Sequence, residues 1–290
     1  MSTASMDPIF GPVVGTDVIS GRAEDADGRV ILMVGGNALV AIDLDARTTS
    51  RTALKIPGAR CWGLARLSDG SLWTLRNRQT LMMIDDRGAS QREIGLERPL
   101  IGVFAEGERL IYQEANADGP AAALRASRPG EPSRVPWGDL QIRAFSALNR
   151  VAAGALNMVN CGIGRHGETP CWFPDEPVIS LIDPSGRTRQ VELAGLDRVA
   201  PETLIAAESP RRPVRDGYVD ASGTIWVLSS GEPPDRAPDL PGAWVIARYG
   251  PHGEEIDRRR LSEPARLILR AGGGRALLLA GDGMVAEVRP

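Results

Sequence analysis

The chain has 290 residues, 42% hydrophobic and 24% charged, with 34 basic against 37 acidic groups and a net charge of -3. That balance supports a sizeable core without disulfides or metal, and it excludes nucleic-acid binding driven by bulk charge. No run of about 18 apolar residues occurs, and Met1–Pro8 lacks the basic start and apolar stretch of a secretory leader, so neither a membrane span nor a signal peptide is expected.

Glycine (33) and proline (22) are spread along the whole length, which predicts many short elements joined by many turns. Residues 9–14 read as a first, isolated strand. From there one pattern recurs: a turn ending in glycine, an apolar run, a gap, a second apolar run and a polar turn. Its first half is Asp27-Gly28-Arg29-Val30-Ile31-Leu32-Met33, then Asp69-Gly70-Ser71-Leu72-Trp73-Thr74-Leu75, then Glu106-Gly107-Glu108-Arg109-Leu110-Ile111-Tyr112. Later copies are Leu148-Asn149-Arg150-Val151-Ala152, Ser222-Gly223-Thr224-Ile225-Trp226-Val227-Leu228 and Gly273-Gly274-Arg275-Ala276-Leu277-Leu278-Leu279. Second halves such as Ala38–Asp43, Thr80–Asp85, Val178–Asp183 and Met284–Val288 follow. The turn positions lie 42, 37, 42, 74 and 51 residues apart. A four-stranded propeller blade takes about 40 to 50 residues, so the prediction is an all-β, single-domain, six-bladed β-propeller of four-stranded antiparallel blades. The N-terminal strand would close the last blade, leaving no sheet edge open.

The repeated Asp/Ser-Gly-x-Ile/Leu-Trp-x-Leu strand, followed by an apolar run ending in Asp, resembles the NHL-repeat and gluconolactonase-like six-bladed propellers over nearly the whole chain. The resemblance implies a fold shared by lactonases, lyases, receptors and scaffolds. It also implies a divalent metal in the central channel, held by a Glu, Asn side chains and an Asp. Asp216-Gly217-Tyr218-Val219-Asp220-Ala221-Ser222-Gly223-Thr224-Ile225-Trp226 resembles that family's Asp-Gly segment, one residue shorter between its acidic positions, whereas residues 9–14 offer no counterpart of the N-terminal Glu. Asp216, Asp220 and Asn157 are the metal candidates, with calcium or magnesium the fitting ions; Asp220 also reads as a turn residue bonding its own backbone.

Insertions are expected at about 157–177, 195–216 and 229–242, all on one face of such a propeller, where long loops carry binding residues. Arg60, Arg98, Arg143, Arg215 and Arg266 stand at the starts of the second to sixth copies. A ring of guanidinium groups there would bind carboxylate or phosphate through forked hydrogen bonds. Trp172, read as a loop residue, would supply an apolar wall. Cys161 and Cys171 bracket nine residues of the first insertion; a bridge between them would imply an oxidising, extracytoplasmic compartment, and two separate thiols a cytoplasmic one.

The leading expectation is therefore a monomeric binder of a small anionic or polar molecule or a peptide segment. The alternatives are a metal-dependent lactonase, hydrolase or lyase, and a passive protein-interaction scaffold.

Overall fold

The computed structural model describes residues 2–289 except 16, 26, 57, 59, 115–121, 132–133, 145–149, 201–211 and 231–243. All of the expected loop at 229–242 except Ser229 and Ser230, and half of that at 195–216, lie outside the described residues. Two short strands begin the chain, β1 (Thr3–Ala4) and β2 (Asp7–Phe10). The rest divides into two compact units, Pro12–Ile142, and Arg143–Pro290 together with Met1–Gly11.

The 12–142 unit holds three four-stranded antiparallel sheets. The first comprises β3 (Ile19–Glu24), β4 (Val30–Val34), β5 (Ala38–Asp43) and β6 (Thr48–Ala53). The second comprises β7 (Cys61–Arg66), β8 (Leu72–Arg76), β9 (Thr80–Ile84) and β10 (Ser90–Gly95). The third comprises β11 (Leu100–Glu106), β12 (Arg109–Glu114), β13 (Arg125–Ser127) and β14 (Val135–Pro136). Middle strands such as β4 are buried on both faces, and outer strands such as β6 are largely exposed, so the apolar runs of the repeat fill the space between sheets. Ile31, Met33, Leu64 and Met82 pack between the first and second sheets, and Trp73, Leu75, Val103 and Tyr112 between the second and third. The first strands converge on glycine: a Cβ on Gly21 would fall 2.5 Å from the Gly63 carbonyl carbon, and one on Gly63 2.9 Å from the Val103 nitrogen.

In the other unit, the place expected for a strand at 148–152 holds helix α1 (Arg150–Leu156). Three of its seven residues are alanine, Ala152, Ala153 and Ala155, and alanine favours helix over strand. The fourth sheet takes its first two strands, β15 (Asn160–Cys161) and β17 (Thr169–Trp172), from the stretch expected as the first insertion, and adds β18 (Val178–Ile182), where a strand was expected, and β19 (Thr188–Glu192); β16 (Ile163–Gly164) lies between β15 and β17 in the chain. The fifth sheet has four antiparallel strands, β20 (Arg212–Val219), β21 (Ile225–Ser230), β22 (Trp244–Tyr249) and β23 (Glu255–Leu261). Both of its edges are extended by parallel two-residue strands, β16 beside β20 and β1 beside β23. The sixth sheet is β24 (Ala265–Gly272), β25 (Arg275–Ala280) and β26 (Val285–Val288), completed by β2, which pairs antiparallel with β26. The completing strand thus lies at 7–10 rather than 9–14; Pro12 has no N–H to give a ladder.

Four hairpins share one turn, Asp-x-x-Gly-x, at Asp25, Asp85, Asp183 and Asp220. In each, the aspartate Oδ1 accepts the N–H groups two and four residues on. The glycine between them sits at φ 78°, 75°, 90° and 84° respectively, the left-handed region that favours glycine. The aspartate thereby satisfies backbone donors that the tight turn leaves unpaired.

Candidate functional site

Arg60 precedes β7 and borders a cavity of about 400 Å³ within the 12–142 unit, lined by Asp17, Val18, Ser20, Gly35, Gly36, Arg60, Cys61 and Trp62. The Cys61 thiol is fully buried, and burial pushes it up to about 11, with opposing contributions from Arg76 and Thr74. It is the only free cysteine and behaves as a small hydrophobe with a reluctant thiolate. Arg98, in the connection from β10 to β11, borders a separate groove of about 500 Å³ together with Glu97, Tyr112, Glu114, Arg125 and Arg134. Arg60 and Arg98 are not brought to one pocket.

Arg143 was expected at the start of a strand and lies ahead of α1. Its guanidinium grips Asp175 with two bonds of 2.8 Å, donates to Glu176 at 2.9 Å and to the Leu156 carbonyl, and stacks 4.1 Å from the Phe173 ring centre. The Asn157 carboxamide accepts from the Arg143 N–H and donates to its C=O, each at 2.9 Å. Two carboxylates already neutralise this arginine, so it braces the segment before α1 against the 173–176 turn. The polar ends of Asn157 are occupied in the same brace.

Trp172 lies in β17, 2% exposed, among Ile179, Leu181, Val191 and Val214. A Cβ on Gly217 would sit 3.1 Å from its ring, so the indole fills space a larger residue would take. It became a core residue because the stretch read as an insertion forms the fourth sheet. In the same ladder Cys161 stands opposite Cys171, and the two form a disulfide across β15 and β17.

Asp216 and Asp220, both on β20 or at its end, are 3% and 5% exposed. Asp216 Oδ2 accepts the Ile268 N–H at 2.7 Å, tying β20 to β24. Asp220 accepts the Ser222 and Thr224 N–H groups and the Ser222 hydroxyl on Oδ1, and the Trp226 indole N–H on Oδ2 at 2.9 Å. Four residues of extended strand separate their Cα atoms by roughly 13 Å, too far to share an ion. Among the described residues no group of three or more His, Cys, Asp and Glu is close enough to hold one. The Asp216, Asp220 and Asn157 set therefore does not fit a divalent cation.

Arg215 and Arg266 do come together, along with an arginine the sequence reading missed. β20 and β24 are adjacent through the Asp216–Ile268 bond. Burial, then the positive charges of Arg212 and Arg266, hold the Arg215 guanidinium below its ordinary value, although part of its side chain reaches solvent. Burial alone lowers Arg212. Asp216 offsets some of this at Arg215, but its Oδ2 is committed to Ile268. Arg215 stacks 4.6 Å from the Trp244 ring centre, and neither it nor Arg212 has a carboxylate partner among the described residues. Guanidinium groups held near one another, with Arg215 reaching solvent, form a site suited to an anion. Arg212 was missed because it falls inside a stretch read as a loop; its place three residues before Arg215 was the available signal.

No protein-family model matches the chain, and no curated protein matches it. Solved structures similar to it include a member of the DUF4221 family from Bacteroides vulgatus, with TM-score 0.62 and 9% identity over 99% of this chain and 96% of that one. The calcium-binding protein regucalcin from Agrobacterium tumefaciens gives TM-score 0.56 and 12% identity over 99% and 95%. A streptogramin B lyase gives 0.53 and 13% over 98% and 86%. At such identities the likeness is one of fold. It bears out the fold that the resemblance implied: the chain is an all-β propeller with four-stranded antiparallel blades.

Proposed function

We propose that this chain is a single-domain, six-bladed propeller that binds a small anionic or polar molecule, or the acidic part of a peptide segment, through arginines at the starts of its inner strands. Six sheets and the pairing of β2 with β26 support the blade count. The observation that carries the binding reading is the group formed by Arg212, Arg215 and Arg266, with Trp244 stacked on Arg215. Arg212 and Arg215 repel each other, and a carboxylate or phosphate accepting their forked hydrogen bonds would relieve that repulsion. The disulfide supports an oxidising, extracytoplasmic compartment.

Thermal unfolding in 10 mM citrate or inorganic phosphate tests this reading. Binding only to the folded chain raises its midpoint, by several degrees when the ligand is about a hundredfold above its Kd. Arg212→Ala/Arg215→Ala is expected to abolish that rise. An equal rise in the double variant, or none in the parent protein, counts against the reading. Lyase is the activity class in the name of one structural neighbour; among the described residues no group of three or more His, Cys, Asp and Glu favours a metal-dependent reaction of that kind.

A further inference from the structure

We propose that the cavity beside Arg60 is a separate site, for a flat aromatic ring carrying one carboxylate or phosphate. It lies wholly within the 12–142 unit and depends on none of the residues in the Arg212–Arg215–Arg266 group. Its volume of about 400 Å³ falls in the range of small-molecule sites.

Three features of its wall point to that chemistry. Trp62 is only half buried and lines the cavity, while the Arg78 guanidinium lies 5.4 Å from its ring centre. The indole therefore offers a flat surface for stacking. Second, the charges are uneven. Asp17 pairs with Arg51 at 3.3 Å, and the Ser20 hydroxyl is spent on the Cys61 carbonyl at 3.0 Å. The Arg60 guanidinium, exposed at the rim, has no side-chain partner among the described residues. One forked donor is left to face a ligand, and it suits a single anionic group. Third, Gly35 and Gly36 present backbone without side chains at φ 59° and 70°, and a Cβ on Gly36 would meet the Cys61 carbonyl oxygen at 3.1 Å.

The corresponding hairpin of the second sheet explains how the site is held. Gly35 donates to the Val18 carbonyl and Gly36 accepts from the Cys61 N–H; Asn77 donates to the Arg60 carbonyl and Arg78 accepts from the Leu100 N–H. The two loops dock alike on the following strand. Yet where the first uses Gly35-Gly36, the second places Asn77 and Arg78 at φ 51° and 62°. Arginine at a left-handed position is strained where glycine is not, and such strain gathers at binding sites. Here it keeps one cation on Trp62 while the same loop holds the backbone of Arg60.

Calorimetric titration with benzoate and phenyl phosphate, against cyclohexanecarboxylate, tests the proposal alongside urea unfolding of each variant. Arg60→Ala is expected to weaken benzoate binding about tenfold, the loss of one charge-assisted contact. Arg78→Gly is expected to weaken it about threefold, through the lost cation on Trp62, while raising the urea midpoint because the strain is relieved. The titrations are run in the Arg212→Ala/Arg215→Ala background as well as the parent, so that benzoate taken up by that group is separated from benzoate at Arg60 and a failure here is distinct from a failure of the citrate experiment. No measurable benzoate or phenyl phosphate binding, equal affinity for cyclohexanecarboxylate, or undiminished binding in Arg60→Ala overturns it.

Discussion

Arg143 and Arg215 illustrate how one residue type at places that look equivalent in the sequence acquires opposite roles. Arg143 is gripped by Asp175, whose side chain is 3% exposed, so removing the guanidinium strands a buried carboxylate. Arg143→Met is expected to cost about 3 kcal/mol, the loss typical of breaking a buried pair from one side. Urea denaturation measures it; an unchanged midpoint would mean that the brace contributes nothing. Cys61 makes a second prediction at this scale. Its thiol, raised by burial from about 9 to about 11, favours the folded state while protonated. The associated stability is fully present below about pH 9 and is lost as pH climbs through about 11. Cys61→Ala should therefore flatten the fall in stability over that window, read from unfolding midpoints of the two proteins side by side. Parallel curves would show that the thiol does not titrate as its burial demands.

At the scale of the element, the Asp-x-x-Gly-x turns and the bridged ladder are the tests. Hydrogen bonds from Ser185, with the Arg187 N–H and guanidinium, lower the Asp183 carboxyl to about 2, and Asp69 and Asp85 are lowered by similar turn donors. Depressed carboxyl groups stabilise the fold above about pH 4, and that contribution disappears as pH drops toward 2. Asp183→Asn keeps the acceptor but cannot titrate, so its acid-unfolding curve should be shallower than the parent's across that interval. Reduction of Cys161–Cys171, ten residues apart in sequence, should lower stability by roughly 3 kcal/mol through the released chain entropy. A denaturation midpoint insensitive to reductant would place the bridge outside the cooperative fold.

These elements also show what the sequence makes legible. The glycine turns and the paired apolar runs were visible because a hairpin demands a left-handed residue and the blade interior demands aliphatic side chains. The Asp220 turn was readable for the same reason. What could not be read was substitution of function within the repeat. Helix α1 replaced a strand because its alanines satisfy either pattern, and that shift turned the residues around Cys161 and Trp172 from loop into sheet. Arg212, Arg78 and Trp62 were invisible as site residues because their meaning depends on neighbours tens of residues away in sequence.

On the scale of the whole molecule, the first ten residues matter most. β1 lies along β23 through bonds from Arg260 to Ser2 and Ser262 to Ala4, and β2 completes the sheet of β24, β25 and β26. Deleting residues 2–11 would bare the outer edges of both sheets, and unpaired edges invite association between chains. The truncated protein is expected to unfold several degrees lower and to elute as aggregates in size-exclusion chromatography. A monomer of unchanged midpoint would show that the strap is ornamental.

The same strap sets an order of events during synthesis. Residues 7–10 find their partner strand only when residues 285–288 have been made. Everything between the two strands must therefore be translated before β2 is paired, a contact of large sequence separation that slows completion. Until then residues 7–10 keep an unpaired edge, open to association with other nascent chains.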